Sequence, residues 1–429
     1  MLVDAAALPT ASATIGSVAE AFVVHELAIF TSSSLSPRLT PFEPYFLTAR
    51  SVNPAAVSAS WWDAATSASG MPLLNRLAAL DPGSLSRVLS ADPTITQRLL
   101  AAPPAVHDVT GWWRLLSPEV REQFVDAAPQ LVGSLDGVPF DVRDAANRAH
   151  LDAAIAEASS TPVAGRADAR TSEQRLHMLE EIRAALEPAD SGESRALLSF
   201  DPAGAGTAAV AIGDVSTADH ISFMVPGMFF TVDGQIVDWT DSTQVLHDEQ
   251  VRLAGGDAAA ASIASISWMG YTTPGLFEVG SLSLAQAGRD ALAHTLEGLH
   301  ELRTGDEPRV TLVAHSYGST AAMMTLTEFK VSVDAFVLVG SPGGPVASAS
   351  ELHVTPGQVY VGEAAWDPVP PSGFFGVKPG SPEFGARIFG VDGERGLAAS
   401  TGHNGYFDRG SESVRNLALI ALGRGSDVT

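Results

Sequence analysis

Between residues 309 and 329 the chain reads RVTLVAHSYGSTAAMMTLTEF: a β-branched run, one tight polar turn, then a helix-forming run. Few folds accept that order. A strand that hands over to a helix across Ala314-His315-Ser316-Tyr317-Gly318 implies a sheet with helices packed on its faces. The small-x-Ser-x-Gly spacing has a physical purpose as well. If Ser316 occupies a strained strand-to-helix turn, its Oγ projects above the sheet, and the residues two before and two after must be small because backbone passes close by. Ala314 serves where glycine is commoner. The N–H groups that follow Ser316, at the start of a helix, then point toward any negative charge that develops beside its Oγ. A five-residue pattern arises often by chance in ordinary strand–helix turns. The strand before it, the helix after it and its place in the chain favour a nucleophile elbow.

The flanking sequence supports an α/β chain preceded by a helical segment. Texture changes near residue 190, which divides the chain into a helical N-terminal domain, 1–190, and a catalytic domain, 191–429. In the first part, Ser117-Pro118-Glu119 offers an N-cap side chain, a proline at the first helical position and an acid near the positive end of the dipole. That helix should stop near Pro129. A second should open at Ser172, place Leu176, Leu179, Ile182 and Leu186 on one face and end at Pro188. Asp81-Pro82-Gly83 reads as a break between helices. After 190, β-branched runs alternate with helical segments. Eight strands are expected: Arg195–Phe200, Ala208–Ile212, His220–Val225, Ala264–Trp268, Arg309–Ala314, Ala335–Val339, Gln358–Gly362 and Ala386–Phe389. The first two should form a hairpin across Asp-Pro-Ala-Gly-Ala-Gly. The others suit a mostly parallel sheet, with the clearest crossover helix at 282–303.

An elbow asks for an acid and a histidine later in the chain, in that order. Downstream of Ser316 stand His353 and His403. His353 sits in Glu-Leu-His-Val-Thr-Pro ahead of a strand, where a surface or packing role suits it. His403 lies in a glycine-flanked loop after the last strand, from which a general base can reach a nucleophile. Asp367, just beyond the strand Gln358–Gly362, is the candidate acid that would hold the imidazole tautomer; Glu363, then Asp392 and Asp408, are weaker candidates. The segment HISFMVPGMFF adds a second turn after a strand. There Gly227 permits close approach, so the Met228 N–H would join that of Tyr317 in an oxyanion hole.

Composition removes several alternatives. The 429 residues and 44.6 kDa exceed what one hydrophobic core usually serves. Forty-nine acidic against 25 basic residues give a net charge of −24, which repels nucleic acid and anionic membrane surfaces. Without cysteine the chain can form no disulfide, thiolate metal site or catalytic thiol. Gly204-Ala205-Gly206 imitates a dinucleotide fingerprint but precedes a strand, and no phosphate-binding loop or HExxH occurs, His25-Glu26 lacking its second histidine. We therefore expect no cofactor and no metal. No stretch of about 18 apolar residues occurs to span a membrane. The first 30 residues lack a basic region, and Glu20, His25 and Glu26 break their apolar stretch, so no signal peptide is read there. The cytoplasm is the default location, with export by another route left open.

Further collinear motifs extend over residues 105–408: Trp112-Trp113 with LSPE (116–119), Val132-Gly133-Ser134-Leu135-Asp136-Gly137-Val138-Pro139, Arg143-Asp144-Ala145-Ala146-Asn147-Arg148, LLSFDP (197–202), TADHISFMVPGM (217–228), SWMGYTTP (267–274), VAHSYGS (313–319), GSPG (340–343), WDPV (366–369) and GHNGYF (402–407). Together they resemble the actinobacterial α/β-hydrolase family of serine-hydrolase type, catalogued as a domain of unknown function. The resemblance implies an α/β-hydrolase fold with the helical segment packed ahead of it, and Ser316, Asp367 and His403 as the triad. Residues 1–100 match nothing in it.

The expected activity is hydrolysis of a carboxylic ester, of esterase or lipase type, through an acyl-enzyme on Ser316. Phe229, Phe374 and Phe375 are candidates to contact a small or lipid-like substrate. The loop from Pro370 to Phe389 either borders the cleft or is buried beneath the helical segment. An amidase, peptidase or acyltransferase on the same triad, or a scaffold whose helical half binds a protein partner, are the alternatives. Trp61-Trp62 and Trp112-Trp113 are read as packing residues. Asp144, with Arg143 or Arg148, is read as tying the helical segment to the sheet domain rather than as part of a calcium loop.

Overall fold

Capping chemistry sets where the N-terminal helices begin. A computed structural model of the protein describes residues 57–160, 166–188, 192–256, 262–275 and 278–429. The readings made on residues 1–30, on His25-Glu26 and on the boundary at 190 lie outside the described residues. The helical segment runs α1 (Ala59–Ser67), α2 (Gly70–Ala78), α3 (Pro82–Ala91), α4 (Thr94–Ala101), α5 (Val106–Leu115), α6 (Pro118–Ala127), α7 (Pro129–Ser134), α8 (Phe140–Ser160) and α9 (Arg166–Ala185). Ser117 caps α6 as expected, its hydroxyl accepting the Val120 N–H. Asp81 does the same for α3, accepting the Ser84 N–H at 3.0 Å with Pro82 as first helical residue. The Asp-Pro-Gly break is thus also a helix start, and each such cap contributes about 1 kcal/mol. The expected start of α9 at Ser172 is six residues late. The helix is already formed at Arg166, and its polar opening RADART shows no apolar face to read.

Leu73, Leu77, Val88, Leu99, Trp112, Trp113 and Phe124 bury a core among α1–α7, with Trp61 and Trp62 packed at its margin. Helix α8 joins this layer to the sheet. Asp144 accepts the Leu197 N–H at 2.6 Å and the Arg148 Nε–H at 2.8 Å. Asn147 donates to the carbonyls of Gly133 and Leu197, while Arg143 pairs with Asp136 at 2.6 Å. These hydrogen bonds cross the junction and fix the position of α8 on the first strand, while the buried Asn147 Oδ1 has no partner among the described residues.

Eight strands form one sheet: β1 (Arg195–Asp201), β2 (Thr207–Ile212), β3 (His220–Val225), β4 (Ile263–Met269), β5 (Arg309–His315), β6 (Ala335–Val339), β7 (Val359–Gly362) and β8 (Arg387–Ile388). Their order is β1-β2-β4-β3-β5-β6-β7-β8. β2 pairs antiparallel with β1 and with β4, and every other pairing is parallel. All eight fall where the β-branched runs lie. Helices α10 (Val232–Ala254), α11 (Ser283–Leu302) and α12 (Tyr317–Glu328) intervene, and α13 (Glu412–Ala421) follows the last strand. Alternation along β5 shows the layering: Val310, Leu312 and Ala314 enter one core with Leu292, Leu296 and Leu299 of α11, and Val313 enters the other with Trp239 of α10 and Leu417 of α13. A strand covered on both faces reads as a near-continuous hydrophobic run, interrupted within β5 by the buried Thr311. Because β3, β5, β6 and β7 run parallel, the loops after Val225, His315, Val339 and Gly362 emerge at one edge of the sheet.

Candidate active site

Ser316 caps α12 directly after β5, with φ 53° and ψ −132°. A non-glycine residue in that region stores about 1–3 kcal/mol of strain. The turn is held by the Ser316 N–H donating to the Val339 carbonyl at 3.0 Å. Only 3% of Ser316 is exposed, and its Oγ lies 2.8 Å from Nε2 of His403. His403 comes from the loop beyond β8, whose Gly402 N–H is fastened to the Ala365 carbonyl at 2.8 Å. On its other side, His403 Nδ1 lies 3.0 and 3.1 Å from the two oxygens of Asp367. Those partners assign the tautomer: Nδ1–H donates to the carboxylate, and bare Nε2 accepts the Ser316 hydroxyl.

The Asp367 side chain is buried. Burial opposes its charge, but hydrogen bonds from His403, from the Tyr406 hydroxyl at 2.6 Å and from the Val369 N–H outweigh it and hold the carboxyl below the usual range. Burial in turn pushes the Tyr406 phenol well up, so it stays a neutral donor; its oxygen also accepts the Ala364 N–H. Tyr406 stands three residues after His403 in the same loop, a proximity that marks it in retrospect.

Two glycines are required by this packing. A Cβ on Gly227 would lie 2.5 Å from Ser316 Cβ and 3.0 Å from its Oγ, so the turn after β3 passes directly beside Ser316. The turn is anchored by the Tyr271 hydroxyl, which donates to the Pro226 carbonyl at 2.8 Å. Gly340, at φ 60° after β6, would carry a Cβ 3.0 Å from Asp367 Oδ2 and 3.1 Å from the His403 ring. Sequence reasoning found Gly227 and passed over Gly340. Met228 follows Gly227, Tyr317 follows Ser316, and neither backbone N–H has a partner among the described residues. The arrangement therefore joins Asp367, His403 and Ser316 in one hydrogen-bonded series, with the N–H of Tyr317 next in the chain to Ser316 and that of Met228 next to Gly227.

His315 was read only as part of the elbow. It is fully buried among Phe230, Trp239, Tyr406 and Phe407, and its Nε2–H donates to the His403 carbonyl at 2.7 Å.

The remaining candidates separate cleanly. His353 is on the opposite edge of the sheet, its Nδ1–H donating to the Phe329 carbonyl. Glu363, raised by burial and by the neighbouring Asp367, forms no hydrogen bond with His403, nor do Asp392 and Asp408. Phe375 is partly buried and meets Tyr317 edge-on at 5.4 Å, Phe374 meets Phe375 edge-on at 4.8 Å, and Phe384 enters the core. Phe229 and Phe374 are exposed. Among the described residues no three His, Asp or Glu side chains gather as a metal site, and no helix is long and apolar enough to cross a membrane.

Residues 201–375 match the family model described as alpha/beta hydrolase. The uncharacterized protein Rv2079 of Mycobacterium tuberculosis is 29% identical over 371 residues, which cover 74% of this chain and 56% of Rv2079. The chain thus spans little more than half the length of that relative. A second mycobacterial protein, Rv0963c, is 29% identical over 179 residues, or 40% of this chain and 67% of its own length. Among solved structures, a hyperthermophilic esterase from the archaeon Pyrobaculum calidifontis aligns at TM-score 0.36 and 15% identity, covering 59% of this chain and 91% of its own. The esterase PE8 aligns at TM-score 0.33 and 14% identity, covering 50% and 96%.

Proposed function

We propose that this chain, whose residues 201–375 carry an alpha/beta hydrolase domain, is a serine hydrolase that cleaves carboxylic esters through an acyl-enzyme on Ser316. The observation that carries this reading is the continuous series Asp367–His403–Ser316 at 3.0 and 2.8 Å. Neither folding nor packing requires all three groups in that order.

The chemistry follows from the donors and acceptors. Ser316 Oγ attacks the ester carbonyl carbon while Nε2 of His403 takes its proton, and Asp367 stabilises the imidazolium that results. The carbonyl oxygen becomes an alkoxide facing the N–H groups of Tyr317 and Met228. Each such donor is worth about 10²–10³ in rate where water is excluded. Collapse breaks the bond to the alcohol, which leaves with the proton from His403 Nε2. Water then enters, gives its proton to Nε2 and attacks the acyl carbon; the acid departs and Ser316 regains its hydrogen.

The same groups can act on amides, on thioesters and in acyl transfer. Esters are preferred here over amides because an alcohol leaving group demands less of the general acid than an amine does. The exposed aromatic side chains of Phe229 and Phe374 also suit an apolar substituent better than a peptide backbone.

Reaction with a fluorophosphonate, followed by peptide mass spectrometry, tests the reading without a guess at substrate. We expect one adduct, on Ser316, lost in His403→Ala. An unlabelled native protein, or an adduct elsewhere, would refute it.

A further inference from the structure

Among the described residues, three that are not glycine adopt a left-handed backbone: Ser316 at φ 53°, Phe229 at 66° and Trp366 at 64°. Ser316 owes this to the elbow. The other two adjoin further site residues, since Phe229 follows Met228 and Trp366 precedes Asp367. Bulky L-residues avoid this region because Cβ crowds the backbone, and they remain there only when something else holds them.

Packing gives no return for that cost. Phe229 is 52% exposed and Trp366 91%. The turn of Phe230 inward, onto Trp239 and His315, leaves the preceding ring outward. Phe374, 44% exposed, stands on Phe375, which meets Tyr317 beside the nucleophile. The three rings come from the loops after β3 and β7, at the sheet edge that carries Ser316. Strain and exposure at the same residues, at one edge, indicate a surface kept for contact with something apolar.

We propose that Phe229, Trp366 and Phe374 form an aromatic rim that seats the hydrocarbon of an uncharged, water-insoluble ester presented as an aggregate. This rests on the hydrolase reading above and adds the physical state of its substrate. A single dissolved ester fills a cleft but leaves a ring as exposed as Trp366 in water, whereas an extended apolar surface covers all three rings together. The net charge of −24 repels an anionic lipid surface, so the complementary aggregate is an uncharged one.

Tributyrin hydrolysis, followed through the solubility limit of the ester, tests the rim in the wild type and in the double variant Phe229→Gly, Trp366→Gly. Glycine accepts the left-handed backbone without strain, so the variant removes the rings and relieves the backbone, a gain offset in part by the entropy of glycine in the unfolded chain. The wild-type rate should climb at least severalfold where droplets appear. The double variant should lose that climb by tenfold or more while its Tm stays level or rises. Flotation supplies a readout independent of turnover: Ser316→Ala should rise with triolein droplets and not with phosphatidylglycerol vesicles, and adding the two glycines should abolish flotation. A wild-type rate that follows one saturation curve across the limit overturns the rim, as does a double variant that keeps the climb or loses Tm. Flotation without turnover or fluorophosphonate labelling would instead refute the hydrolase reading and keep the rim.

Discussion

His315 Nε2–H donates to the main-chain carbonyl of His403 at 2.7 Å, so the residue before Ser316 holds the loop that carries His403. The two imidazole centroids are 4.6 Å apart. His315 touches no reacting atom, which makes it a positioning residue. Its loss would leave a partly buried carbonyl unpaired and free the loop to drift. We expect His315→Phe to lower kcat about 10–100-fold with little change in KM, the cost of misplacing a general base, and His315→Gln to recover much of the loss. Equal defects in both variants would remove the hydrogen bond from the explanation.

Burial, reinforced by the charge His403 acquires, pushes the pKa of His315 down to about 4. In the unfolded chain the same imidazole titrates near its ordinary value of about 6.5. Between those values the unfolded state holds the proton and the folded state does not, so stability falls as pH drops from about 6.5 to about 4 and this contribution changes no further below that. The full loss is on the order of 3 kcal/mol. Urea denaturation at pH 7, 5.5 and 4.5 should show His315→Gln losing less stability over the interval than the wild type. Parallel curves would mean that His315 does not titrate there.

The Tyr406 hydroxyl bridges Asp367 and the Ala364 N–H. Tyr406→Phe keeps the ring and deletes both hydrogen bonds, which should cost about 1–3 kcal/mol of stability for the unpaired buried groups. It should also lower kcat about tenfold by loosening the carboxylate. Asp367→Asn should be much worse, about 10³–10⁴-fold in kcat, because an amide can select the wrong imidazole tautomer. A Tyr406→Phe enzyme that loses stability alone would confine the phenol to packing.

Gly340 is constrained twice, by φ 60° and by the absence of room for a Cβ against Asp367 and His403. Gly340→Ala should destabilise by about 1–2 kcal/mol from the backbone alone and lower kcat sharply by parting the Asp–His pair. The same substitution made in His403→Ala should cost no further activity, since the residues act as one unit. Additive losses would place the effect of Gly340 elsewhere.

How much of this was legible depended on whether an interaction is local in sequence. The central strands could be read because strands buried on both faces are near-continuously apolar, whereas β8, whose Arg387 and Ile388 are exposed, was found from its short β-branched run. The Ser117 and Asp81 caps act within three residues and leave a local signature. Ser316, Asp367 and His403, named from their chain order, lie in mutual contact although the contacts span 36 and 87 positions. His315 escaped because its partner is a main-chain carbonyl 88 positions away, and a carbonyl carries no residue type. Trp366 escaped because left-handed backbone at a residue other than glycine has no sequence signal. Gly340 stood within a recognised motif, but its purpose shows only when the Asp367 and His403 side chains are in place.

The elbow strain at Ser316 can be separated from its chemistry by two substitutions. Ser316→Ala and Ser316→Gly both delete Oγ and its 2.8 Å contact with His403, so both should abolish fluorophosphonate labelling and lower turnover to what the oxyanion donors alone provide. They differ in the backbone. Alanine at φ 53° and ψ −132° keeps the strain, whereas glycine occupies that region freely. Ser316→Gly should therefore be more stable than Ser316→Ala by about 1 kcal/mol or more, offset in part by the extra entropy of glycine in the unfolded chain. Urea midpoints of the two variants, with equal m-values, would measure the difference directly. If alanine proves as stable as glycine, the turn stores no strain and the conformation of Ser316 reflects the packing of Gly227 and Gly318 alone.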